Sequence, residues 1–319
     1  MPRTRPRLAT SLLWGLFAGS GGLALWACGS ATDLIIGTNG HEGMSGAAGS
    51  MMELPDARPD SEVPEAGPDA EAGPEAATCQ PGTAPPAASL VHRYSFNGTG
   101  TAIVDSVSVD KADGLSTFWP VVNPPPMPSA AQLDGSGHLD LDGTDDYVNL
   151  PDGLISSLPD VTIMAWAAWR GGSAYHRVFD FGTSTNGADM RGQCKSCVLL
   201  MATGGIANSN GLRVQVHTVG NEPTEILTND RLDKTYQQVA LVFESKVAVR
   251  LYLKGKLIGS AATTMATSDI VDNNDWLGLS QYDMDNPLNG GYDEFRIYSR
   301  ALSACEIETL FEAGPDTLP

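Results

Sequence analysis

The sequence predicts an all-β domain, a two-sheet antiparallel sandwich closed by one short C-terminal helix. Three observations carry this expectation. From Ser89 onward, about a dozen segments alternate apolar and polar residues or form short apolar runs, as strands do. Clusters of Gly, Asn and Asp stand between them and supply turns. A helix signal appears only near the end, at Ser303.

Leu90 to Phe96 reads as the first strand and Thr101 to Ser106 as the second. An irregular stretch follows, marked by Pro124, Pro125, Pro126 and Pro128. Val161 to Trp169, His176 to Phe181, Val198 to Ala202 and Leu212 to His217 come next, with Glu225 to Leu227 a weaker strand. Within its strand Trp166 has the opposite parity to Trp169, so one ring is expected between the sheets and the other elsewhere. Tyr236 to Phe243 and Val247 to Ile258 are the clearest long strands, the second folded into a hairpin at Lys254-Gly255-Lys256. Trp276 to Ser280 and Tyr292 to Tyr298 complete the series. Ser303 and Glu306 then form a capping box, each side chain satisfying a free backbone N–H. Leu302, Ile307, Leu310 and Phe311 give the helix an apolar stripe, and Gly314-Pro315 ends it.

Alternation does not separate a jelly roll from an immunoglobulin-like sandwich. Two stretches do: Leu141-Asp142-Gly143-Thr144-Asp145-Asp146-Tyr147-Val148-Asn149-Leu150, and the run from Asn289-Gly290-Gly291-Tyr292-Asp293-Glu294-Phe295-Arg296-Ile297-Tyr298 to Ser303. Together they resemble the opening and closing signatures of the laminin-G-like jelly-roll domain of the concanavalin A type. The start at Tyr94-Ser95-Phe96-Asn97-Gly98, Asp105, the strand of Trp166 and the Lys-Gly hairpin also match, so the resemblance spans about 88–314. The proline-rich insert at 119–128 departs from the family's usual Gly-rich turns. The resemblance implies a concanavalin A-like jelly roll used in extracellular recognition, often of sugars and sometimes for glycan hydrolysis. It also implies a structural calcium ion, with Asp105 and Asp293 at the matching positions.

The chain's ends are read from composition. Arg3, Arg5 and Arg7 precede an apolar run from Leu8 to Ala27. Leu25-Trp26-Ala27-Cys28 resembles a bacterial lipobox, which is cut before a cysteine that is then lipidated. An uncleaved signal anchor is the competing reading, weakened by Gly19, Ser20, Gly21 and Gly22. Residues 1–27 are thus expected to be a lipoprotein signal peptide, with Cys28 the lipidation site. Gly29, where an Asp would suggest inner-membrane retention, leans the expectation toward the outer membrane. Residues 28–78 form the lipidated linker, whose Pro-, Ala- and Gly-rich, acidic sequence cannot bury enough apolar surface to fold.

Residues 79–319 carry the jelly-roll domain. Removing the leader's +3 and the linker's −9 from the chain's −19 leaves −13 for it, which argues against nucleic acid as a partner. Four of the five cysteines remain after Cys28, and an even number in an exported protein reads as two disulfides. Three pairings are possible. Cys79–Cys305 with Cys194–Cys197 is favoured, because chain termini often lie close together. The long bridge is worth about 5 kcal/mol and the short loop about 2 kcal/mol in the chain-entropy account. Cys194-Lys195-Ser196-Cys197 also has the spacing of a redox pair or half a zinc site, but neither the strand–helix context nor a second ligand pair accompanies it.

Catalytic patterns are thin. Retaining glucanases of this fold place Glu-x-Asp-x-Glu on one strand, and no domain glutamate has an Asp two residues later. There is no Gly-x-Ser-x-Gly elbow and no His-Glu-x-x-His pair. Asp145-Asp146 and Asp293-Glu294 are adjacent, so in a strand their side chains would diverge. For sugar binding the useful chemistry is an aromatic plane beside Asp, Asn or Gln. Trp119, Tyr175 beside His176, and Tyr282 beside Asp283, Asp285 and Asn286 offer it, with Trp119 and Tyr282 the leading candidates. The expectation is a non-catalytic, lipid-anchored cell-envelope module that binds an extracellular glycan or protein. A purely structural or adhesive envelope protein is the alternative, and a glycoside hydrolase a more distant one.

Overall fold

The computed structural model describes residues 83–107, 115–117, 131–204 and 211–318. Cys28, Cys79 and Trp119 lie outside the described residues, as do the leader and the linker. Among the described residues are seventeen strands and one α-helix. The first seven strands are short: β1 (Leu90–Tyr94), β2 (Thr99–Gly100), β3 (Ala102–Val104), β4 (Leu115–Thr117), β5 (Leu133–Asp134), β6 (Leu139–Asp142) and β7 (Val148–Leu150). The longer ones follow: β8 (Val161–Trp169), β9 (Arg177–Ser184), β10 (Cys194–Met201), β11 (Arg213–Thr218), β12 (Thr224–Leu227) and β13 (Gln237–Glu244). The series ends with β14 (Ala248–Leu253), β15 (Lys256–Ala262), β16 (Asn274–Leu277), β17 (Asn289–Tyr298) and helix α1 (Ala304–Ala313).

Two sheets form the predicted sandwich. One runs β1-β17-β8-β13-β14-β15, with β6 also pairing with β17, and the other runs β12-β11-β10-β9-β16-β7-β4-β3. All ladders within both are antiparallel. The β14–β15 hairpin turns at Lys254 and Gly255, both at positive φ, as a two-residue turn matched to strand twist requires. The core between the sheets is aromatic at its centre. Phe179, Phe181 and Phe295 stack with centroids 5.3–6.4 Å apart, and Tyr94 joins at 6.3 Å.

A second apolar layer lies under α1, where Ile307 and Leu310 meet Met164, Trp166, Val242 and Tyr252. Trp169 instead packs against the main core, so the two tryptophans of β8 separate as their parity requires. The capping box is present: Ser303 Oγ accepts from Glu306 N, and Ser303 N donates to Glu306 Oε2. Beneath the C-terminal residues, Glu294 Oε1 accepts from Arg93 Nε at 2.5 Å and from Arg296 Nε at 2.7 Å. The Arg296 guanidinium lies 4.8 Å from the centroid of the Trp166 ring. The chain after α1 is strapped over this network, with Arg93 donating to Asp316 O and Arg296 to Pro315 O and Thr317 O.

Several elements differ from the sequence reading. β10 begins at Cys194, not Val198, because a bulge between Cys194 and Ser196 keeps the disulfide segment in the ladder. Gly182 of β9 faces it with no room for a side chain: a Cβ there would sit 2.0 Å from Ser196 O. Cys194 and Cys197 are bridged. Cys305 is also disulfide-bonded, and its expected partner Cys79 lies outside the described residues. Among the described residues no helix is long and apolar enough to cross a membrane.

Candidate functional site

Along β10 and β11 the side chains alternate between two environments. Val198, Leu200, Val214 and Val216 enter the core, whereas Cys197, Leu199 and Met201 cluster on the outward face of the eight-stranded sheet with Tyr282. That outward face carries a cleft of about 260 Å³. Tyr175 and Tyr282 line it, with Arg177 from β9, Arg213 and Gln215 from β11, and Asp285 from the connection between β16 and β17. Met201, at the end of β10, supplies an apolar portion of the lining.

Each wall is fixed by its own contacts. Arg177 is 1% exposed and donates through Nε to Asp180 Oδ2 (3.1 Å), Nη1 to Tyr175 O (2.7 Å) and Nη2 to Asp285 Oδ2 (2.8 Å). Its guanidinium lies 5.7 Å from the Tyr282 ring centroid. The Tyr282 loop is tied down by Arg191, which donates to Ser280 O (3.1 Å), Tyr282 O (2.6 Å) and Asp285 O. Ser280 Oγ donates to Asp285 Oδ2 at 2.9 Å. On the opposite side Glu225 Oε1 accepts from Arg213 Nη2 (2.6 Å) and Gln215 Nε2 (2.9 Å). Two phenol rings therefore flank a rigid polar floor. Asp180, fully buried behind Arg177, has its pKa pushed up to about 6 by burial, which outweighs the adjacent guanidinium.

A hydrogen-bonded chain links this loop to the core. Trp169 Nε1 donates to His176 Nδ1 (3.1 Å), the other imidazole nitrogen lies 3.2 Å from Ser173 Oγ, and Asn286 Nδ2 donates to the same hydroxyl (2.8 Å). Because Nδ1 accepts, His176 is neutral with its proton on Nε2. Burial lowers its pKa, which keeps it so. Gly172, at φ +131°, leaves the space the ring fills, since a Cβ there would lie 2.5 Å from His176 Cε1.

The sequence candidates fall unevenly. Tyr282 and Tyr175 are in the cleft. Arg213, Gln215 and Met201 were not singled out, because on a strand they read as ordinary outward positions. Asp105 is buried, with Oδ2 2.7 Å from His92 Nδ1 and Oδ1 accepting from Arg93 N and Val107 N, both at 3.0 Å. Asp293 is the extra residue of a bulge in β17 and has a buried Oδ1 with no hydrogen bond. Its pKa is pushed up to about 6, first by burial and then by Asp316 and Glu294. Among the described residues these two do not belong to a common group of three ligand-bearing side chains.

One such group does exist. Ligand atoms of Asp142, Asp145 and Asp146 all lie within 4.8 Å of one another. The residues between β6 and β7 are not a strand, so the parity that would separate Asp145 from Asp146 does not apply. Asp146 Oδ1 accepts from Ala131 N and its Oδ2 from Asp142 N, while Asp142 Oδ1 accepts from Thr144 N. An all-oxygen set of this kind has the chemistry of a hard-cation site.

Comparison with known proteins agrees with the architecture. The family described as the concanavalin A-like lectin/glucanases superfamily matches residues 142–308, just over half of the chain. No curated protein matches it. Among solved structures, the chain is similar to domain 4 of AbnA, a GH43 extracellular arabinanase from Geobacillus stearothermophilus, in complex with arabinotriose. The two are 18% identical with a TM-score of 0.52, over 69% of this chain and 96% of that one. It is also similar to the Trypanosoma rangeli sialidase in complex with sialic acid, at 14% identity and a TM-score of 0.51. That match covers 74% of this chain but only 36% of the sialidase.

Proposed function

The chain belongs to the concanavalin A-like lectin/glucanases superfamily, and from that premise we propose that it binds carbohydrate, without transforming it, in the cleft between Tyr175 and Tyr282. One observation carries the reading: two phenol rings flank the hydrogen-bonding side chains of Asp285, Gln215 and Arg213 in a single hollow. Sugars present apolar C–H faces and hydroxyl edges, and this lining offers a partner to each. The arabinotriose held by the similar arabinanase domain supports a glycan as the class of ligand. Among the described residues Asp285 is the one carboxylate lining the cleft, whereas glycosidases generally use two, about 5 to 9.5 Å apart. We place the domain at the cell envelope, tethered through Cys28 at the end of the acidic linker, probing extracellular glycans or glycosylated partners.

The test is glycan binding by the purified protein, with calorimetry on the hits. Binding that free sugar competes and that weakens about tenfold in Tyr282→Ala, equivalent to ~1.4 kcal/mol, is expected. Binding unaffected by Tyr282→Ala would move the site elsewhere. Turnover of a polymeric glycan would overturn the non-catalytic part.

A further inference from the structure

Building on the glycan reading above, we infer that this cleft selects a neutral sugar residue and rejects carboxylated sugars such as sialic and uronic acids. The reason lies in how the charges are paired and which acceptors remain free. Arginines around the cleft give it the look of an anion receptor, yet the two that line it, Arg177 and Arg213, are already paired with carboxylates. Arg177 donates to Asp180, Tyr175 O and Asp285, and is almost wholly covered. Arg191 spends Nε and Nη2 on the carbonyls that hold the Tyr282 loop. Arg213 is paired with Glu225, which also holds the Gln215 amide nitrogen, and its Nε, without a hydrogen bond among the described residues, is buried.

Beside these ion pairs two acceptors remain open. Asp285 uses Oδ2 for Arg177 and Ser280, leaving Oδ1 without a hydrogen bond among the described residues. Gln215 turns Nε2 toward Glu225, which leaves its Oε1 as an acceptor. Both call for ligand donors, which sugar hydroxyls supply and a carboxylate does not. A carboxylated ring would set its charge against Asp285, while the two guanidiniums that line the cleft already have carboxylate partners in Asp180, Asp285 and Glu225. The net −13 of residues 79–319 works in the same direction. At about 260 Å³ the hollow lies just below the ~300–1,000 Å³ of pockets for drug-sized ligands, so it accommodates about one ring.

The experiment titrates the purified protein with matched pairs: a galactose-terminated oligosaccharide and its sialylated form, and an arabinose trisaccharide and a uronic-acid trisaccharide. The neutral member is expected to bind at least about tenfold more tightly, and Asp285→Asn to narrow that ratio. Neutral binding by the unaltered protein should change less than about twofold between low and high salt, since no net charge is paired. This last measurement does not depend on the variant folding. Carboxylated glycans bound equally well or better, with Tyr282 required, would overturn the neutral-sugar inference and leave glycan recognition standing. So would affinity that falls steeply with salt. If neither member of any pair binds in a Tyr282-dependent way, recognition at this cleft fails as well.

Discussion

His176 shows how one side chain can tie a loop to a core. Its neutral Nδ1 accepts from Trp169, and the ring sits in the space left by Gly172. Because burial lowers its pKa below the ordinary 6.5, the native state resists protonation more than the unfolded chain does. Its contribution to stability is therefore fully present above the unfolded value and is lost as pH falls through the lower folded value. Trp169→Phe should cost about 1 kcal/mol at pH 7.5 in urea melts, shrinking toward zero at acid pH as His176 protonates in both proteins. A cost constant with pH would mean that the indole contributes by packing alone. Asp275 behaves with the opposite sign. It is fully buried, accepts from Leu154 N through Oδ2, and has an Oδ1 without a partner. Burial, then Asp272, raises its pKa well above normal, so its ionisation opposes folding as pH rises through and beyond the unfolded carboxylate range. Asp275→Asn is expected to raise the melting temperature at pH 7 and to lose that advantage near pH 4.

At the scale of elements, legibility followed the strength of local signals. The β14–β15 hairpin was readable because Lys254-Gly255 is turn chemistry between two long apolar runs. Helix α1 was readable from Ser303 and Glu306, and Ser303→Ala should cost about 1 kcal/mol in thermal melts. β2, β5, β6 and β7 passed unread, since two to four residues hold too few positions for a period to show. The extension of β10 back to Cys194 was hidden because the sequence there reads as a stapled loop, while the bulge that admits it is a tertiary feature. Gly182 is the price of that arrangement. Gly182→Ala would put a methyl 2.0 Å from Ser196 O and 2.7 Å from Cys197 Cα, and a loss of about 1–3 kcal/mol or more is expected. The cleft was half legible. Tyr282 and Tyr175 stood out as loop aromatics beside polar residues, but Arg213, Gln215 and Met201 reach it only through the register of β10 with β11.

For the whole molecule, the family resemblance in the 141–150 and 289–303 stretches was the most informative signal. Both fall within the β6–β7 and β17–α1 regions, where β17 lies between β1 and β8 and also pairs with β6. The calcium expectation also belongs at this scale, because a bound ion stabilises the folded state as a unit. Calcium is expected to raise the melting temperature relative to excess chelator, with the rise lost in Asp293→Ala. A rise that survives Asp293→Ala but disappears in Asp145→Asn would move the ion to the Asp142, Asp145 and Asp146 group. No rise in any protein would remove calcium from the account.

The strap after α1 also bears on mechanics. β1 ends its sheet, paired in its ladder with β17, with Leu90 opposite Tyr298 and a single bridge from Tyr94 to Asp105 on its other side. Once the expected Cys79–Cys305 bridge is reduced, tension arriving through the residues that precede β1 would pull at that end and tend to peel the pairs one after another toward Tyr94. Peeling would meet its main obstacle at Arg93. There the backbone N–H is held by Asp105, and the guanidinium grips Glu294 and Asp316 O. Arg93 thus acts as a catch: a load that frees the first residues of the strand must break a charged, largely buried knot before it reaches the core.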